Sequence, residues 1–560
     1  MRRKFVSSLV KNQIIIALQG DNSMRRFITF ILTVFGSFCL NAQNFGAEYL
    51  LLRPEKTAFN QTSSHADVTS FLERMESLSK NVKVISMGES FEGRNIPLAI
   101  LANPMVSTPE EVLKSGKAVI YIQGNIHAGE VEGKESIMML MREILLGEKK
   151  YLLDNLIILL APIYNTDANE KLAKGLRPSQ EDSPPETGQR ESSQGYDLNR
   201  DGIKMDALET RALFQKVIIP WDPQIFVDLH TTNGTWHAYP LTWAPSYHSM
   251  GEKSVFDYSY TKMLREITDT VFKKHNLQFG KYGDYNLEEG WPPRNFYSYS
   301  YMPRYLVNQF GFRNRMGILS EAFAHNRFYE RINSTLVFIT EILEYANKHS
   351  AEIIQINKQA DEACVKNAMA NSGKVKKGVK FKMTVLDTIR NFLTYDHFPV
   401  LKLDGTYEYT RMGKIVTFDK VKYHAAFEPV LESTFPRGYI LPAQFEKVAE
   451  NLMMHGIKVS KLSENKTFSG ESFWVDSLVY DKDSFQHHKA LSLEGKFKSE
   501  TRSFRKGDYI IDIAQPLNNL IFYMLEPQSE DGLVHWNFFD AALKKQNKKE
   551  GIRYPVFKYY

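Results

Sequence analysis

Short apolar runs alternate with helically spaced apolar residues from about Asn44 to Asn347. Ala118-Val-Ile-Tyr-Ile122 is a β-branched run. Glu132 to Leu146 repeats apolar side chains at Ile137, Met138, Leu140, Met141 and Leu145, and Leu156 to Ile163 is apolar again. These periods predict strand, helix and strand. Gln224 to Leu229 and Gly317 to Leu319 continue the series, which predicts an α/β domain whose sheet is wrapped by crossover helices. Gly175 to Gly195 and Gly280 to Arg304, polar or rich in aromatics, Pro and Gly, predict long surface loops of the kind that carry sites.

A helix predicted from Thr335 to about Val365 closes the series, and the lysine run around Lys374 to Lys380 reads as a solvated linker. Beyond it the pattern changes to short alternating segments such as Ile415 to Phe418, Ser472 to Val475 and Asp508 to Asp512, which predict a smaller, β-rich second domain. At the other end, Met24-Arg25-Arg26 precedes the fourteen-residue apolar run Phe27 to Leu40 and then Asn41-Ala42-Gln43. That order reads as a secretory signal peptide, too short for an ordinary membrane span, with Met24 as a possible start. The expected organisation is therefore a leader over 1–42, a catalytic domain over 43–350, a helical, lysine-rich linker over 351–380 and a β-rich domain over 381–560. The expected location is secreted or periplasmic.

Composition changes this picture little. Of 560 residues 43% are hydrophobic and 24% charged, as in ordinary globular proteins. The net charge of +5 arises in the leader, where Arg2, Arg3, Lys4, Lys11, Arg25 and Arg26 face only Asp21. The remainder is balanced, which gives no electrostatic case for nucleic acid or for a membrane surface. Of two cysteines, Cys39 falls in the leader, so Cys364 is expected as a lone thiol and the cores must hold the fold without a disulfide.

Candidate chemistry starts where the Ala118 strand runs into Gly124-Asn-Ile-His127-Ala-Gly-Glu130. An imidazole and a carboxylate three apart at a strand's C-terminal end can converge on one cation. Spacing alone is a weak signal, since His349-Ser-Ala-Glu352 repeats it on a polar helix and is assigned no function. A third donor, His230, ends another predicted strand in Asp228-Leu-His230. Three protein donors with a position left for water make a catalytic zinc site, so His127, Glu130 and His230 are candidate ligands for one Zn2+.

These residues resemble the carboxypeptidase A-type zinc metallocarboxypeptidases, and the likeness extends in order over roughly 300 residues. Its landmarks are Gly88 to Arg94 with Ile96-Pro97, His127-x-x-Glu130, Asn165-x-Asp167, Asp197-Leu-Asn-Arg200, Asp228-Leu-His230 and Ile318-Leu-Ser-Glu321. Gln515-Pro-Leu517 and Glu526 to Phe539 resemble bacterial secreted members that carry an added C-terminal domain. The resemblance implies a mixed-sheet carboxypeptidase-like fold and hydrolysis of C-terminal peptide bonds. It makes Glu321 the general base, Asn199 and Arg200 the clamp for the substrate's terminal carboxylate, and Asp197 the orienting acceptor for a ligand imidazole.

An arginine supporting the polarised carbonyl is implied before Asn199. Arg190 in Thr187-Gly-Gln-Arg190 is the candidate, with Arg177 in Gly175-Leu-Arg-Pro178 as the alternative. A substrate-closing phenol stays open among Tyr297, Tyr299, Tyr301 and Tyr305. Trp236 and His237 are expected to line the pocket, Arg313 and Arg315 either to face the cleft or to form salt bridges, and Trp474 and Trp536 to sit in a core. The implied partner is a peptide with a free C-terminus. Two alternatives remain: a cell-wall peptide amidase on the same site, or a silent peptide-binding homologue.

Overall fold

The computed structural model describes residues 47–180, 184–247, 249–547, 549 and 551–560, so the expected leader, Met24 and Cys39 lie outside the described residues. Eight strands form a central sheet: β1 (Val82–Glu89), β2 (Asn95–Leu101), β3 (Ala118–Gly124), β4 (Leu156–Ala161), β5 (Ile225–Thr231), β6 (Leu241–Pro245), β7 (Gly280–Lys281) and β8 (Met316–Ala322). Their spatial order is β1-β2-β4-β3-β5-β8-β6-β7. β4, β3, β5 and β8 are parallel neighbours, and β2 and β6 flank them antiparallel.

Every residue of those four parallel strands is buried, which is why apolar side chains dominate them without strict alternation. Alternation sorts their side chains between two layers. Ile120 and Ile122 pack with α1 (His65–Leu78), α2 (Glu132–Leu146), α3 (Leu264–His275) and α4 (Phe328–Lys348), whereas Val119 and Tyr121 face the opposite way. The start of α2 lies so close to β5 that a Cβ on Gly133 would meet Leu229 Cβ at 2.7 Å, which fixes glycine there.

The expected single helix from Thr335 is two helices, α4 and α5 (Ser350–Asn371), broken at His349. The break lets both helices bury a face: Ile339 and Ile342 of α4 and Ile353 and Ala360 of α5 enter one apolar layer. The lysine run is not a solvated linker throughout, because a strand begins at Lys376 and alternation there buries Val379 while Lys377 binds Asn519.

The C-terminal region is β-rich. Lys376–Ile389 pairs with Val421–Thr434, which also takes Asn295–Tyr297 as a parallel neighbour. Phe392–Leu401 and Tyr407–Phe418 form a hairpin. A six-stranded sheet has the order Ser460–Lys461, Tyr509–Asp512, Gly438–Leu441, Ile552–Tyr559, Lys466–Tyr480, Leu491–Phe504. Its Tyr439 and Phe473, with Trp536 beyond it, share one apolar cluster with Leu198, Ile203 and Phe226 from the first half. Trp474, by contrast, is only half-buried, with Lys498 and Arg553 against its ring. Cys364 is a buried free thiol, and no helix of the described residues is long and apolar enough to cross a membrane.

Candidate active site

The parallel strands end together, and their C-terminal ends open on a cleft of about 280 Å³. β3 leads through Asn125, which takes a left-handed φ of 64°, into His127 and Glu130. β5 ends with His230, and β8 sets Glu321 directly beside it in register. Sheet topology thus brings together residues separated by up to 194 positions, at the end of an α/β sheet where ligands ordinarily bind.

Glu130 is the hub. Its Oε1 lies 3.0 Å from His127 Nδ1 and its Oε2 lies 2.9 Å from His230 Nδ1, while Thr231 N–H donates to Oε2 at 3.1 Å. The outer nitrogens face carboxylates: His127 Nε2 is 3.1 Å from Asp197 Oδ1, and His230 Nε2 is 3.0 Å from Asp228 Oδ2. Asp228 is itself buried and accepts from Gln123 Nε2 at 3.3 Å. With each imidazole proton on Nε2, hydrogen-bonded to Asp197 in His127 and close to the charge of Asp228 in His230, two Nδ1 lone pairs and the Glu130 carboxylate face one another. A cation among them satisfies that arrangement. Among the described residues this is the one group of three such side chains with ligand atoms all within 4.8 Å, and two histidines with a glutamate fit zinc.

Burial and neighbouring charges shift the acidities within the cluster. Burial opposes charge on His230, yet Asp228 and Glu130 hold its pKa well above the ordinary value. Burial likewise works against ionised Glu130, but His127 and Arg177 bring it well below the usual carboxylate range. Glu321 differs: burial pushes it up to about 8, with His230 working against the rise, and its buried Oε2 has no hydrogen-bond partner.

Both candidate arginines reach the cleft. Arg177 donates to Glu130 Oε1 at 2.7 Å, whereas Arg190 grips Asp197 Oδ2 through Nε at 3.0 Å and Nη2 at 2.8 Å. Asn199 lines the same cleft, its backbone N–H bound to Asp197 Oδ1 and its Oδ1 accepting from Leu306 N–H. Arg200 lies over the Tyr305 ring at 4.3 Å.

Of the four candidate phenols, Tyr299 and Tyr305 line the cleft. Tyr297 turns to Glu289, and Tyr301 to Tyr523 and Glu530. Tyr282 also lines the cleft and was missed by the sequence pattern: burial, then Glu321 and Glu130, push its pKa up. The residues expected nearby lie elsewhere. Trp236 stacks on His325, with the Arg411 guanidinium 3.4 Å from its ring centroid, and His237 is fully buried. Arg313 binds the His455 carbonyl, and Arg315 pairs with Asp222 and Asp361.

Residues 68–300 match the family described as zinc carboxypeptidase. Carboxypeptidase 2 of Trichophyton rubrum is 21% identical over 95% of this chain and 99% of its own length. Human carboxypeptidase D is 27% identical over 43% of this chain and 16% of its own. A metallo-carboxypeptidase structure from Burkholderia cenocepacia is 15% identical, covering 52% of this chain and 70% of its own, with a TM-score of 0.37. The chain carries a metallocarboxypeptidase domain of the zinc carboxypeptidase family, and its cofactor is zinc.

Proposed function

We propose that this protein is a secreted carboxypeptidase that removes residues from the free C-terminus of peptides, with Glu321 as its general base. The observation that carries the reading is the placement of a buried carboxylate oxygen without a partner, Glu321 Oε2, beside a His-Glu-His cluster at one cleft. Zinc at His127, Glu130 and His230 supplies Lewis acidity toward the scissile carbonyl and the attacking water. Glu321 takes the water's proton on Oε2 and returns it to the leaving amine, its neighbour cation favouring the ionised form. Arg190, aided by Arg177, stabilises charge that develops on the carbonyl oxygen. Asn199 and Arg200 hold the terminal carboxylate through an amide donor and a planar guanidinium.

The same reading divides the chain into a leader over 1–42, a catalytic domain over 43–350, a connecting segment over 351–380 and a β-rich domain over 381–560. Two measurements on the purified protein test the function together. One zinc per chain and cleavage of a free peptide far faster than of its C-terminal amide are expected. Equal cleavage of both overturns the exopeptidase reading, and absence of zinc after reconstitution favours a silent peptide binder.

A further inference from the structure

The segment carrying Asp197, Asn199 and Arg200 is held from outside the catalytic half. Between Lys466–Tyr480 and Leu491–Phe504, Phe485 N–H donates to His488 O at 2.8 Å and His488 N–H donates to Phe485 O at 3.0 Å. The two residues between them, Gln486 and His487, have φ of 51° and 63°. This is a two-residue turn with both centres left-handed, a conformation that favours Asn-Gly and strains Gln-His. Strain of this kind persists where surrounding contacts enforce it.

The contacts of the two strained residues go to the loop that carries the candidate clamp, while Phe485 and His488 also pack on Trp536 and His488 Nδ1 lies 3.1 Å from Asn537 Oδ1. Gln486 Oε1 accepts from Asp197 N–H at 2.8 Å. His487 Nε2 donates to Gln194 O at 3.2 Å, and its ring meets Tyr196 edge-on at 4.9 Å. His488 Nε2 lies 2.8 Å from Asp206 Oδ2. Farther along, Asn451 Nδ2 donates to the carbonyls of Ile203 and Lys204, and His455 Nε2 to that of Ile203.

We propose that the Phe485–His488 turn positions the Asp197–Arg200 segment to receive the substrate's terminal carboxylate, with Gln486 as the positioning residue. The proposal rests on the reading of Asn199 and Arg200 as the clamp. Gln486 acts through Asp197: its side chain fixes the Asp197 amide, and the Asp197 carboxylate in turn accepts the Asn199 N–H at 2.9 Å. Arg200 follows, its Nη1 bonded to the Asn199 carbonyl. A carboxylate clamp serves bound substrate and transition state alike, so loosening it raises KM and spares kcat.

The test uses the zinc-loaded full chain and one peptide as its free acid and as its C-terminal amide. Gln486→Met keeps the side chain's length without an acceptor, and is expected to raise KM for the acid about threefold to tenfold, the range of one hydrogen bond. Its kcat and zinc content should change less than its KM, because the Asp197 carboxylate stays gripped by Arg190 and His127, and its preference for acid over amide should shrink as KM rises. Gln486→Glu retains an acceptor oxygen and should restore KM. Gln486→Asn combined with His487→Gly relaxes the turn, so it should raise Tm while also raising KM, a split that a merely structural turn would not give. A native KM in Gln486→Met, or a fall in kcat or zinc without a change in KM, overturns the proposal while leaving the clamp standing. Equal native cleavage of acid and amide removes the clamp reading itself, and the positioning role with it.

Discussion

The chain contains two His-x-x-Glu pairs with nearly the same internal contact and different surroundings. His127 Nδ1 lies 3.0 Å from Glu130, and His349 Nδ1 lies 3.2 Å from Glu352. The first pair is buried at the end of β3, with a third donor from β5 and a carboxylate behind each imidazole. The second sits where α4 turns into α5, and its Glu352 is shared with Lys262 and Tyr258. A local spacing can bring an imidazole to a carboxylate anywhere on a helix or a turn. Metal competence comes from non-local structure: a donor 100 residues away and the aspartates that lie beside each ring's outer nitrogen.

That contrast can be broken or sharpened by substitution. The largest effect is expected at Glu321→Gln, which should cut kcat by about 10²–10⁴, the usual worth of a general base, while zinc content stays at one per chain. Its thermal midpoint should hold or rise, because the change removes a buried carboxyl oxygen without a partner. An undiminished kcat would take Glu321 out of the reaction. Asp228→Asn should weaken zinc about 10–100-fold in competition with a chelator, the range for an acceptor behind a ligand imidazole. If zinc affinity is unchanged, the 3.0 Å contact to His230 does not orient that ring. At the small end, His349→Ala should leave zinc untouched and cost about 1 kcal/mol of stability through the lost stacking on Tyr345 and the lost contact with Glu352. Loss of zinc there would mean that the spacing alone suffices.

Much of this arrangement was legible in the sequence. β3, β5 and β8 open as apolar runs, with His127 and Glu130 just past the end of β3 and His230 and Glu321 one residue before the ends of β5 and β8, so the strands and these four residues could be read together. Asp228 was harder to interpret, since an acid inside a buried strand shows its purpose only once the register places Gln123 and His230 around it. Tyr282 is delivered by β7, a strand of two residues that is too short to display alternation. The two arginines could not be separated by alignment because both enter the cleft, one on Glu130 and one on Asp197. Gln486 reaches Asp197 across 289 positions, and a contact of that kind leaves no periodic trace.

The apolar cluster that joins Leu198, Ile203 and Phe226 to Tyr439, Phe473 and Trp536 also bears on how the chain is made. Synthesis proceeds from the N-terminus, and the apolar cluster that includes Tyr121 and Phe226 is complete only when Ile552, Tyr554 and Val556 have emerged. The nascent protein therefore carries a complete set of zinc donors long before it has a sealed core. A chain halted between about residues 350 and 550 would leave part of that cluster facing water.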